Sequence, residues 1–260
     1  MTMPFTVVDA FADRPFAGNP AAVMVLDAWP DDALLQSIAL EHNLSETAFV
    51  VPASGEADYE LRWFTPTVEI AMCGHATLAS GHVLIGDRAE VRFATRKAGV
   101  LVVGRDGDGY TLDLPVTRVA PAADAALLAA LGVEGAVFAS VSGAQQTSII
   151  LVADAATVRA CTPDMAALAA CEVMAIVTAP GDVADVVSRV FVPAWGVDED
   201  PVTGSAHAAL APFWAERLGC ERFTAYQASA RGGHLTCALS EERAVLGGQC
   251  VTVMRGELLL

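Results

Sequence analysis

The chain has 260 residues, enough for one large domain or two modest ones. Hydrophobic residues make up 54% and charged residues 18%, a balance that excludes a disordered chain. With Lys+Arg 15 against Asp+Glu 31, the net charge is −16, which repels phosphate backbones and anionic membranes. No nucleic-acid or membrane partner is expected.

The start, Met1-Thr2-Met3-Pro4-Phe5, lacks a basic segment followed by an apolar run, so no signal peptide is expected. No uncharged apolar stretch reaches the ~18 residues of a membrane helix. The six cysteines (Cys73, Cys161, Cys171, Cys220, Cys237, Cys250) form no CxxC pair. That pattern fits a reduced, cytoplasmic chain whose thiols are mostly small core residues.

Apolar alternation and short apolar runs predict strands over 6–10, 21–26, 48–51, 59–64, 91–95 and 100–103. Asp106-Gly107-Asp108-Gly109 reads as a hairpin turn before a strand over 110–114. Helical spacing marks 32–42, and a second helix over 75–85 ends at Gly86. The second half repeats the order: strand 149–152, helix 164–170, strands 173–177 and 187–192, and a helix over 205–218 closed by Gly219.

An offset of 127 lays Val25 on Val152, Val50 on Val177, Phe64 on Phe191 and Pro66 on Pro193. The offset grows to 130 at Gly74/Gly204 and 134 at Leu101/Leu235. This pattern predicts a duplicated α+β architecture, residues 1–117 and 118–260, the last strand being free to pack onto the N-terminal half. Pro115–Ala125 reads as the linker.

The repeat singles out two strand–loop–helix segments, Phe64…Cys73-Gly74-His75 and Phe191…Asp200-Pro201-Val202-Thr203-Gly204-Ser205. A helix N-terminus carries about +0.5 of a charge and free N–H groups, so two such starts facing one cleft would hold a carboxylate. Small residues at the same places also serve plain close packing. The two readings stay open on spacing alone.

Asp9-Ala10-Phe11…Phe16-Ala17-Gly18-Asn19-Pro20, Leu44-Ser45-Glu46-Thr47, Cys73-Gly74-His75-Ala76-Thr77 and Glu199-Asp200-Pro201-Val202-Thr203-Gly204-Ser205 together resemble the PhzF-like family. This is the phenazine-biosynthesis isomerase family, related to diaminopimelate epimerase, and the likeness runs along nearly the whole chain. It implies two similar halves, each a curved mixed sheet around a central helix, with the site between them. It further implies a cofactor-independent isomerase, a small anionic metabolite as partner, and a homodimer.

The resemblance makes Glu46 the acid/base that moves a proton between carbons of an unsaturated or cyclic acid. A carboxyl just before a buried strand suits that work, although it also reads as a helix-closing surface residue. His75 and Asp200 are implied to contact substrate and assist. Their bland alternatives are a first-turn residue bonded to its loop and a turn residue before Pro201. Gly74, Gly204 and Ser205 would bind substrate oxygens, Ser205 otherwise being a helix cap. Asn19 and Ser45 would line the cleft.

Cys73, before a helix start, is counted with the substrate-binding residues; it otherwise reads as a small buried residue or half of a two-thiol epimerase. Thr203 occupies the position where the second thiol would stand, which weakens the epimerase reading. His207 reads as a packed or capping residue. No GxSxG, GxxxxGK[ST] or GxGxxG stretch is present, and no His/Cys spacing suggests a metal. The alternatives to a Glu46 isomerase are a cysteine-dependent epimerase or racemase, or a non-catalytic metabolite-binding protein.

Overall fold

A computed structural model describes residues 2–141 and 146–260. The chain divides into two compact units, the first reaching from the start to Asp113 and resuming over Gly247–Leu260, the second being Leu114–Leu246.

The first unit opens with β1 (Thr2–Ala10), β2 (Asn19–Val25), α1 (Asp32–His42), β3 (Glu46–Pro52) and β4 (Tyr59–Phe64). It continues through β5 (Glu69–Ile70), α2 (Gly74–Leu84), β6 (Glu90–Thr95), β7 (Val100–Asp106) and β8 (Gly109–Pro115). The spatial order is β1–β2–β3–β4–β6–β7–β8. The β2–β3 and β4–β6 pairs are parallel and the others antiparallel. Parallel neighbours need a crossover, and α1 and α2 supply the two.

Asp31 caps α1 by accepting from the Ala33 amide, and Asn43 ends it in the left-handed region. Leu35 and Ile38 of α1 then pack on Met24, Phe49 and Phe64. In α2 every residue from Gly74 to Gly81 is buried. The helix can sit that deep because its side chains are small. A Cβ at Gly81 would collide with Val103 of β7.

The second unit contains β9 (Val119–Ala122), α3 (Ala125–Leu131), β10 (Ala136–Ser140), β11 (Thr147–Leu151), α4 (Ala155–Ala160) and α5 (Met165–Ala169). It continues through β12 (Met174–Pro180), β13 (Val186–Val192), β14 (Val197–Asp200), α6 (Gly204–Leu218), β15 (Arg222–Gln227), β16 (Gly233–Ser240) and β17 (Arg243–Gly248). The final strand, β18 (Cys250–Leu259), returns to the first unit and pairs with β1 from Thr2↔Leu259 to Ala10↔Cys250.

The second unit repeats the first in its pairing order, β10–β11–β12–β13–β15–β16, again parallel at β11–β12 and β13–β15. Tyr59 pairs with Phe93 as Val186 pairs with Ala225, and Phe93 with Leu101 as Ala225 with Leu235. The uniform offset of 127 fails in the first crossover: Val50 pairs with Val25, whereas Val177 pairs with Ile150 and not Val152. In the second unit that first crossover is built from two short helices, α4 and α5, in place of α1, which changes the register there. The stretch read as a linker, Pro115–Ala125, contains β9, which pairs with β10.

The repeat extends to buried charge. Arg62 donates both ends of its fork to Glu69 at 2.8 Å, and Arg189 does the same to Glu199 at 2.7 and 2.9 Å. Each guanidinium also lies over a phenylalanine, Phe64 at 5.0 Å and Phe191 at 4.9 Å. These forks hold the short hairpins β4–β5 and β13–β14, which lead into α2 and α6. Within α6, Pro212 has no N–H for the Ala208 carbonyl, and the Thr117 amide donates to that oxygen instead at 3.2 Å. No described helix is long and apolar enough to cross a membrane.

Candidate active site

In the first unit the turn between β1 and β2 sets one wall of the site. The Phe16 amide donates to Asp9 Oδ2 at 2.8 Å, and Gly18 takes φ +64 against the Ala10 carbonyl, where a Cβ would not fit. This delivers Asn19, fully buried, to the first position of β2. Glu46 is the first residue of β3, three residues after the αL turn at Asn43, and sits beside Ala21 in the parallel ladder. Ser45 precedes it, half-buried. Cys73 is the N-cap of α2, and Gly74 and His75 are its first two residues.

His75 ties these elements together. Its Nδ1 lies 3.1 Å from Asn19 Nδ2 and 3.5 Å from Cys73 Sγ, and its Nε2 lies 3.1 Å from Glu46 Oε2. The Nε2 contact is short but poorly aligned, so it is an electrostatic approach rather than a formed hydrogen bond. The Asn19 Nδ2 group can only donate, which makes Nδ1 the acceptor and leaves the ring proton on Nε2, facing the carboxylate. Burial pushes the His75 pKa down to about 3, so the ring is neutral at ordinary pH. The side chain of Glu46 keeps 14% exposure, against 3% for His75, so the carboxyl is the member of the pair that reaches solvent.

The Cys73 side chain does not cap α2, and no acidic residue occupies the first turn. The helix start therefore presents its dipole without a built-in counter-charge. Thr77 Oγ1 donates to the Cys73 carbonyl at 2.5 Å and fixes the turn.

In the second unit, Asp200 ends β14 and Thr203 is the N-cap of α6. Thr203 Oγ1 donates to Asp200 Oδ2 at 2.5 Å. Gln227, fully buried at the end of β15, clamps both: its Oε1 accepts from the Thr203 amide at 2.9 Å, and its Nε2 donates to the Asp200 carbonyl at 2.6 Å. Sequence reasoning missed Gln227, since one glutamine at a strand end carries no motif. Gly204 and Ser205 open α6, with Ser205 Oγ 3.9 Å from Met174 Sδ. Met174 begins β12 as Glu46 begins β3, and Ser205 follows Gly204 as His75 follows Gly74. The second unit thus carries Met–Ser where the first carries Glu–His. His207 is a packed residue, its Nδ1 2.8 Å from the Thr203 carbonyl.

Of the residues singled out from sequence, Asn19, Glu46, Cys73 and His75 form one contact set, and Asp200 forms another with Thr203 and Gln227. Ser45 adjoins the first set along the chain, and Gly74 contributes its place in α2.

The sequence profile of the phenazine biosynthesis-like proteins, PhzC–PhzF, matches residues 8–256. An uncharacterised isomerase of Pseudomonas aeruginosa is 49% identical, with 100% of each chain covered. The crystal structure of a PhzF-family phenazine biosynthesis protein from Enterococcus faecalis superposes with a TM-score of 0.90 at 43% identity, covering 100% of both chains. At the level of fold alone, a predicted epimerase of P. aeruginosa superposes with a TM-score of 0.79 at 22% identity, over 99% of each chain. The fold is the mixed α+β architecture shared by PhzF and epimerase-like proteins, and the chain belongs to the phenazine biosynthesis-like, PhzC–PhzF family.

Proposed function

We propose that this protein moves a proton between carbons of a small unsaturated or cyclic carboxylic acid, with Glu46 as the general acid/base. Family membership makes the chain an isomerase of the PhzF type. The observation that carries the finer reading is the set Asn19–His75–Glu46 at the start of α2. A neutral imidazole with its proton toward the carboxylate orients Glu46 without consuming its basicity. Glu46 takes a proton from one carbon, and the charge that develops spreads into the substrate carboxylate. The uncapped amides of α2 at Gly74 and His75 suit an oxyanion of that kind. Glu46 then returns a proton to a second carbon. Asp200, oriented by Thr203 and Gln227, is assigned an assisting role, and Gly204 and Ser205 are assigned to substrate oxygens. General acid/base catalysis of this type contributes roughly 10²–10⁴-fold.

The test is proton NMR in D2O with a panel of small cyclic and unsaturated acids, dihydroxy-cyclohexadiene carboxylates among them. Wild type should incorporate deuterium at one carbon or shift a double bond. Glu46→Gln, with an unchanged circular dichroism spectrum, should slow this by at least roughly 10²-fold. Unchanged turnover in Glu46→Gln sinks the assignment. Exchange that survives Glu46→Gln but not Cys73→Ser transfers the chemistry to the thiol.

A further inference from the structure

Along the chain no His-x-x-x-His spacing or Cys/His cluster suggests a metal centre, and Glu46 lies far from Cys73. The fold removes that separation. One ligand atom from each of Glu46, Cys73 and His75 falls within 4.8 Å of the other two. We propose that these three side chains bind a thiophilic divalent cation of the Zn2+ or Cd2+ type, and that this cation inhibits the enzyme.

The donor set has the right chemistry. Thiolate, imidazole and carboxylate are the three side-chain ligands that zinc selects. The spacing is close to what a tetrahedral ion needs. With Zn–S about 2.3 Å and Zn–N about 2.0 Å, two tetrahedral ligands stand about 3.5 Å apart. A single ion takes one nitrogen of the ring; on the Nε2 side Glu46 Oε2 lies 3.1 Å away, and Cys73 Sγ belongs to the set whose ligand atoms fall within 4.8 Å of one another. Three protein ligands leave the fourth position to water.

Two further observations point to a cation. His75 Nε2 is buried and forms no aligned hydrogen bond among the described residues. Coordination at Nε2 moves the ring proton to Nδ1, where the Asn19 carboxamide turns its Oδ1 to accept it, and replaces the Cys73 S–H bond with an S–metal bond, the thiol proton leaving to solvent. The chain's charge of −16 concentrates cations around it.

Binding and inhibition are separable. Inhibition rests on the Glu46 acid/base reading, since a carboxylate committed to a metal cannot collect a proton. Binding does not depend on that reading. The first experiment is therefore spectroscopic: the full chain, stripped with a chelator, is titrated with Co2+ and then Zn2+. The expected result is one equivalent bound, with a thiolate-to-cobalt charge-transfer band that Zn2+ abolishes. Cys73→Ser should lack the band, and Glu46→Gln should bind Zn2+ at least roughly 10-fold more weakly. No band in wild type, or a band retained in Cys73→Ser, overturns the site. Should Cys73→Ser fail to fold, an unchanged Zn2+ affinity of Glu46→Gln by calorimetry overturns it equally. Where D2O exchange is established, one equivalent of Zn2+ should stop it and EDTA restore it. Exchange that continues with the metal bound overturns the inhibitory role.

Discussion

Mild acid should destabilise this protein through two buried histidines before its ion pairs titrate. His75 in the first unit and His207 in the second are fully buried, and burial lowers their pKa from 6.5 to about 3 and about 4. The unfolded chain binds these protons and the folded one does not. Stability is therefore complete above pH 6.5 and declines as the pH falls toward the folded values. At ~1.36 kcal/mol per pKa unit, each histidine removes roughly 2 kcal/mol between about pH 7 and about pH 5. His42 and His82, half-buried with lowered pKa, act in the same direction. Paired carboxylates such as Glu69, also lowered, respond only below their unfolded value of 4.5, so the window isolates the histidines. Urea titrations at the two pH values measure the effect. A drop of roughly 2 kcal/mol in each unit, or about 4 in a single cooperative transition, is expected. His207→Gln should remove about half of the pH dependence. Stability that is flat or rising on acidification across that window would refute the reasoning.

Three further outcomes follow from the packing. Arg62→Ala should cost about 3 kcal/mol by urea titration, the lower end for a broken buried pair, because Glu69 stays partly buried while Asp32 is already in water. Gly81→Ala forces a methyl into Val103 and should lower stability by roughly 1–3 kcal/mol, read as a fall in Tm. Gln227→Leu strips the buried Thr203 amide of its acceptor and should cost about 1–3 kcal/mol; no change in the urea midpoint would mean the clamp is not needed.

The sequence revealed most where local chemistry and tertiary need agree. The span of α1 was legible because Asp31 caps it and Asn43 ends it, and α6 because small residues lead into a Gly219 stop. Helix α4 was hidden in an Ala-rich stretch of six residues, too short to develop a period. Strand β9 was hidden by its proline, Pro121, which an outer strand tolerates. At the site, Glu46 and His75 stood out through motif resemblance, and their contact across 29 residues comes from the β2–β3–β4 ladder and α2. Gln227 and the Arg62 and Arg189 forks left no trace, because their partners are chosen by strand register rather than by spacing.

The strand β18 has a consequence for synthesis on the ribosome. It follows the whole second unit in the chain, yet it pairs with β1 along nearly its entire length. The unit bearing Glu46 and His75 is therefore begun first and finished last. At roughly 5–20 residues per second, the free edge of β1 waits on the order of 10–50 s for its partner. An unpaired edge invites pairing with other chains, so a chaperone that shields nascent strands has its clearest client here in β1.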